Sequence, residues 1–220
     1  MSKFLKFFVG ISIFYLLLIA IGKEDLAWYF KPLLLPGLLL ATNESKNFTT
    51  KKWLLFALCF SWIGDVILMF ADKGEIYFIL GLVSFLISHI LFIVLFIKQE
   101  TLSKPNKLIF CIGILAVAAY LYTMLTILLP TLGDLKIPVS VYAFVISLML
   151  IMAIRGALTW QNPMNLLILN GAIAFVTSDS ILAINKFFNA LPNASLLIMS
   201  TYLIAQYLIT FGVLKLNENN

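Results

Sequence analysis

With 62% of its 220 residues hydrophobic and only 11% charged, the chain has too little polar surface to be kept in water as a globular domain. A mean hydropathy of +1.05 points the same way, to an integral membrane protein that crosses the bilayer several times. The net charge of +5 does not describe a nucleic-acid partner, because the lysines fall in short segments between apolar runs, where they report topology.

The first predicted span covers residues 4–22, longer than the apolar core of a signal peptide and followed by no A-x-A cleavage site. The second, 28–42, is short and contains Pro32 and Pro36, which predicts a kink or an unwound stretch, and it also carries Lys31. Spans 52–70 and 76–97 follow, joined by the turn ADKGE, with Asp65 in the first and His89 in the second. Beyond the polar loop KQETLSKPNK come 108–130, 137–154, 164–184 and 195–214. The expected fold is an all-α integral membrane domain of eight transmembrane helices, cut to a hydrocarbon core of about 30 Å. Cys59 and Cys111 both fall inside spans and read as small core residues, not as a disulfide. The tail NENN reads as disordered.

An even number of spans puts both termini on one side, and the basic residues say which. A cytoplasmic N-terminus places Lys3, Lys6, Lys46, Lys51, Lys52, Lys98, Lys104, Lys107, Arg155 and Lys215 inside, against Lys23, Lys73, Lys136 and Lys186 outside. In this multi-pass topology, that of a cell inner membrane in a bacterial host, Asp65 and Asp179 each lie roughly 20 Å from the cytoplasmic end of their helices. Both therefore belong to the outer third of the bilayer, and Lys31, Tyr142 and Tyr202 belong to the outer half. An ionisable group at such a depth is costly, and by default marks a functional site.

A shift of 114 residues, the distance from Asp65 to Asp179, superimposes GDVIL on SDSIL. The aspartates also occupy the third span of each four-span half, so a parallel repeat about an axis along the membrane normal is expected. Two carboxyls facing each other in a low dielectric would divide into an acid and an anion, a pair suited to hydrolysis that needs protonation and an activated water. Ser61 and Gly64 before Asp65, and Ser178 and Ser180 around Asp179, leave room for a substrate and offer hydroxyls.

Five short motifs in order carry a resemblance. They are Lys31-Pro32; S-x-x-G-D-x-x-L at Ser61, Gly64, Asp65 and Leu68; Gly81, Phe85 and His89; the run from Gly171 to Ala183; and Ala205-Gln206. Together they resemble the YhhN-like lysoplasmalogenase family. The resemblance implies a membrane hydrolase that splits the vinyl ether bond of a lysoplasmalogen lipid into a fatty aldehyde and glycerophosphoethanolamine or glycerophosphocholine. The reaction it implies matches the acid and anion read above from the paired carboxyls, and those roles are assigned to Asp65 and Asp179 jointly, with either as the acid. The chain departs from the family pattern at Phe92, where a tyrosine is common.

Each assignment has a plainer counterpart. Lys31 reads either as a phosphate partner or as a snorkelling lysine. Tyr142, Tyr202 and Gln206 are candidates to line a cavity, as Ser61 and Ser178 are, with packing as their other reading. His89 and Asn170 read first as structural hydrogen-bonding groups between helices. Trp28, Tyr29, Tyr77, Phe187 and Phe188 read as an interfacial aromatic belt. The alternative function is a proton-coupled transporter using the same aspartates. No serine-hydrolase elbow, zinc motif or phosphate loop is present, and no cofactor or metal is expected.

Overall fold

The structure, a computed structural model, describes residues 2–218. The described residues are helical, without strands, and form nine α-helices: α1 Lys3–Ala20, α2 Glu24–Phe30, α3 Pro36–Glu44, α4 Lys51–Leu68, α5 Glu75–Lys98, α6 Lys107–Leu128, α7 Lys136–Ala157, α8 Met164–Phe187 and α9 Ala194–Leu216. Every expected span coincides with helix, but by length and composition six are fit to cross a membrane: α1, α5, α6, α7, α8 and α9. Of the remaining two, α4 is 18 residues long and includes Lys51, Lys52 and Asp65. The other is the second span, which divides into α2, a 3-10 turn at Lys31–Leu33, and α3.

That division follows from its prolines. Pro36 has no N–H to give to the carbonyl of Pro32 four residues back, so an α-helix running through both would leave that oxygen unpaired in an apolar setting. The Trp62 indole of α4 donates to it instead, at 2.8 Å. The break in the second span is thus fastened to α4, three residues from Asp65.

The chain divides into two compact units, Met1–Leu95 and Phe96–Asn220. In the first, α1 packs on α2 and α3, and α3 packs on α4. Leu34, Leu35 and Leu38 are fully buried there, as are Leu54 and Leu58 of α4. Helix α5 is bound to α4 by polar contacts: Ser84 donates to the Phe60 carbonyl at 2.6 Å and Ser88 to that of Ala57 at 2.8 Å. In the second unit α8 lies against α9 over most of its length, and α7 and α6 pack alongside. The closeness of α8 and α9 depends on having no side chain at Gly171, where a Cβ would stand 2.7 Å from Ile209 Cγ1 and 3.1 Å from the Ala205 carbonyl oxygen.

Large apolar side chains cover the outside, among them Leu17, Tyr29, Leu108, Leu115, Tyr122 and Ile137. Such a surface needs hydrocarbon around it, and the protein is a multi-pass membrane protein. Trp28, Tyr29, Phe70 and Tyr77 cluster where α2 meets the α4–α5 turn, with Lys73 over the Phe70 ring at 4.9 Å.

Two expectations are corrected. Cys111 lies on the exposed side of α6 rather than in a core, and Cys59 is half-buried. The start of the tail is ordered: Asn217 and Gln99 exchange amide hydrogen bonds of 3.0 and 3.2 Å while buried, and Glu218 pairs with Lys215. The rest of the tail, Asn219 and Asn220, lies outside the described residues.

Candidate active site

In the first unit Asp65 sits one turn from the end of α4 and is 3% exposed. Lys31, half-buried on the 3-10 turn, and the hydroxyl of Tyr15 on α1 lie within electrostatic reach of it. Gly64 and Gly81 hold α4 close to α5. A Cβ at Gly64 would be 2.7 Å from the Phe85 ring, and one at Gly81 would be 2.5 Å from Leu68 Cδ2. Four residues of the motifs read from the sequence, Gly64, Leu68, Gly81 and Phe85, therefore interlock to set the helix pair that carries Asp65.

Ser61 is fully buried with its hydroxyl 2.7 Å from that of Ser88. Since Ser88 gives its own proton to the Ala57 carbonyl, Ser61 is the donor of that pair. Its hydroxyl is engaged between helices. His89 and Phe92 are fully buried on α5.

In the second unit Asp179 is half-buried on α8, on the wall of an open-sided cavity of about 50 Å³ lined by α6, α7 and α8. Leu121 and Met124 of α6, Ile146 of α7 and Val176 of α8 make most of that wall apolar. The polar groups gather at one level. The Tyr142 hydroxyl donates to Asp179 Oδ2, and beside it Tyr120 is hydrogen-bonded to Ser180. Ser180 gives its proton to the Val176 carbonyl at 2.6 Å, so Tyr120 is the donor to Ser180.

Ser178 donates to the Ile198 carbonyl of α9 at 3.0 Å, so its hydroxyl, like that of Ser61, ties its helix to the next one. Tyr202 is buried edge-on to Phe175, with ring centroids 5.5 Å apart, and Gln206 is fully buried one turn beyond. Asn170 is exposed on α8, which does not fit the expected role of a buried link between helices. An amide six residues into a helix looks the same in sequence whichever side it turns to.

Tyr15 and Tyr120, near the aspartates, and Ser88, the partner of Ser61, escaped the sequence reading. Each belongs to a long apolar run in which a tyrosine or serine is unexceptional, and each becomes notable only through a partner on another helix.

The profile of the YhhN family matches residues 26–213. The chain is 31% identical over 203 residues to lysoplasmalogenase TMEM86B of Homo sapiens, a match covering 89% of this chain and 80% of that protein. It is 32% identical over 167 residues to lysoplasmalogenase TMEM86A of Bos taurus, covering 73% of this chain and 65% of the relative. A lysoplasmalogenase of Mycobacterium bovis is 29% identical over 166 residues, covering 74% and 60%. No solved structure matches. With a family profile aligned from the broken second span to the last helix, the chain belongs to the YhhN family.

Proposed function

We propose that this chain is a lysoplasmalogenase, a membrane hydrolase that cleaves the vinyl ether bond of a single-chain lysoplasmalogen to a fatty aldehyde and glycerophosphoethanolamine or glycerophosphocholine. The names of its relatives support the activity. What supports it in the fold is the carboxylate of Asp179, presented on an apolar cavity wall between helices, where a hydrocarbon chain and a group able to manage protons can meet.

The chemistry runs through the carbon skeleton. Protonation of the vinyl ether β-carbon turns the α-carbon and ether oxygen into an oxocarbenium ion. Water adds to the α-carbon and loses a proton, and the hemiacetal breaks its C–O bond to give the aldehyde and the glycerol hydroxyl. One carboxylic acid can supply the first proton, while a carboxylate stabilises the cation and accepts the proton of water. In this proposal Asp65 and Asp179 share the two roles, and Lys31 offers a positive charge to the substrate phosphate.

Purified protein in detergent is expected to release aldehyde from a vinyl-ether lysolipid. Asp65→Asn and Asp179→Asn should each lower turnover by about 10²-fold or more while remaining monodisperse and helical. Full turnover by either variant would remove that aspartate from the mechanism. Proton movement across sealed vesicles with no aldehyde released would favour the transporter instead.

A further inference from the structure

We propose that Tyr142 is a positioning residue that holds Asp179 as the carboxylate of the reaction, the group that faces the developing oxocarbenium ion. The inference rests on the lysoplasmalogenase reading and goes past it by dividing labour among residues of the second unit. Tyr142 stands a turn and a half into α7, is 9% exposed, and donates its hydroxyl to Asp179 Oδ2 across the cavity. A phenol is well suited to this task. It has two side-chain torsions, its ring is confined by packing, and its hydroxyl then occupies one point in space. An aspartate on a helix turns about its own two torsions, and a hydrogen bond to a fixed point selects among its rotamers. With Oδ2 tied to Tyr142, the carboxylate plane is set by α7 and α8 together.

The chemical part follows from what a phenol can offer a carboxylate. A carboxylate can only accept, and Tyr142 offers it a donor at Oδ2; a charge-assisted bond of this kind is stronger than one between neutral groups, so the phenol favours the anion. Other polar groups on this stretch have contacts of their own. Tyr120 of α6 is committed to Ser180, whose proton goes to the Val176 carbonyl. Tyr202 of α9 packs on Phe175, one turn away on α8. Lys186 lies nearly two turns further along α8, close to its end.

Tyr120 supplies the comparison, since it is a second tyrosine on the same cavity, at the same level, bonded to the residue next to Asp179. Tyr142→Phe and Tyr120→Phe each remove one hydroxyl and keep the ring, so both should fold. The expected result with a vinyl-ether lysolipid is a kcat lowered by about 10²-fold in Tyr142→Phe, the scale of a misplaced catalytic group, with KM unchanged and a loss of kcat in Tyr120→Phe smaller by about 10-fold or more. A raised KM with kcat intact would make Tyr142 a binding residue and overturn the inference, as would wild-type kinetics. Equal losses in both variants would also overturn it, because the effect would then belong to cavity polarity. Infrared difference spectra give a readout independent of turnover: the Asp179 carboxylate band, identified by its loss in Asp179→Asn, should shift in Tyr142→Phe and stay in place in Tyr120→Phe. A band unmoved in both would overturn the inference. Wild-type protein that releases no aldehyde would overturn the lysoplasmalogenase reading and the catalytic part of this one with it. A shifted band in the same protein would still show Tyr142 holding Asp179.

Discussion

Trp62 reaches from α4 to the Pro32 carbonyl and occupies an acceptor that Pro36 leaves open. Trp62→Phe keeps most of the ring but orphans that oxygen away from water, at a cost of about 1–3 kcal/mol. The variant should melt lower in detergent, and an unchanged melting temperature would mean that the carbonyl finds another donor. Asp65 and Asp179 could be read at this scale from sequence alone, because a carboxylate in an apolar run is anomalous whatever surrounds it. Ser61 and Ser178 could not. In sequence they are hydroxyls beside an aspartate, and only the fold shows Ser61 reaching Ser88 and Ser178 reaching the Ile198 carbonyl. Tyr120 was invisible for the opposite reason, being one more aromatic residue on a helix with little buried surface.

Between elements, both aspartate-bearing helices are fastened to the helix that follows by the same two devices, a glycine at the closest approach and a serine hydrogen bond. In the first unit these are Gly64 against Phe85 with the Ser61–Ser88 pair, and in the second Gly171 against Ile209 with Ser178 on Ile198. Such contacts suit a bilayer, where apolar area gives helices little reason to associate and close backbone approach supplies the attraction. Gly171→Leu should therefore push α9 away from α8. A loss of about 1–3 kcal/mol is expected, seen as earlier unfolding in a detergent titration, while Ala at the exposed Ile173 two residues on should be nearly neutral. The broken second span was foreseeable from Pro32 and Pro36, since the missing N–H is a property of the residue itself. The start of α2 at Glu24 was not, because the charged first turn Glu24-Asp25 lies outside any apolar window.

Across the whole molecule each unit offers its aspartate a polar neighbour from the span before it: Lys31 for Asp65 and Tyr142 for Asp179. If the two carboxyls serve one reaction, removing both should cost hardly more than removing one, as happens when residues act as a unit. Asp65→Asn/Asp179→Asn is thus expected to retain a turnover close to that of the weaker single variant. A double variant whose loss is the product of the single losses would mean that the aspartates act independently.

By itself the sequence determined the membrane class, the run of helices and the two carboxylates out of place, because hydropathy, proline and charge act residue by residue along the chain. Only the tertiary structure decided which hydroxyls are engaged in packing, which tyrosine reaches Asp179, and that Asn170 turns outward. Those outcomes depend on distances of a few ångströms between helices far apart in sequence, and a hydrogen bond exists or fails on that scale.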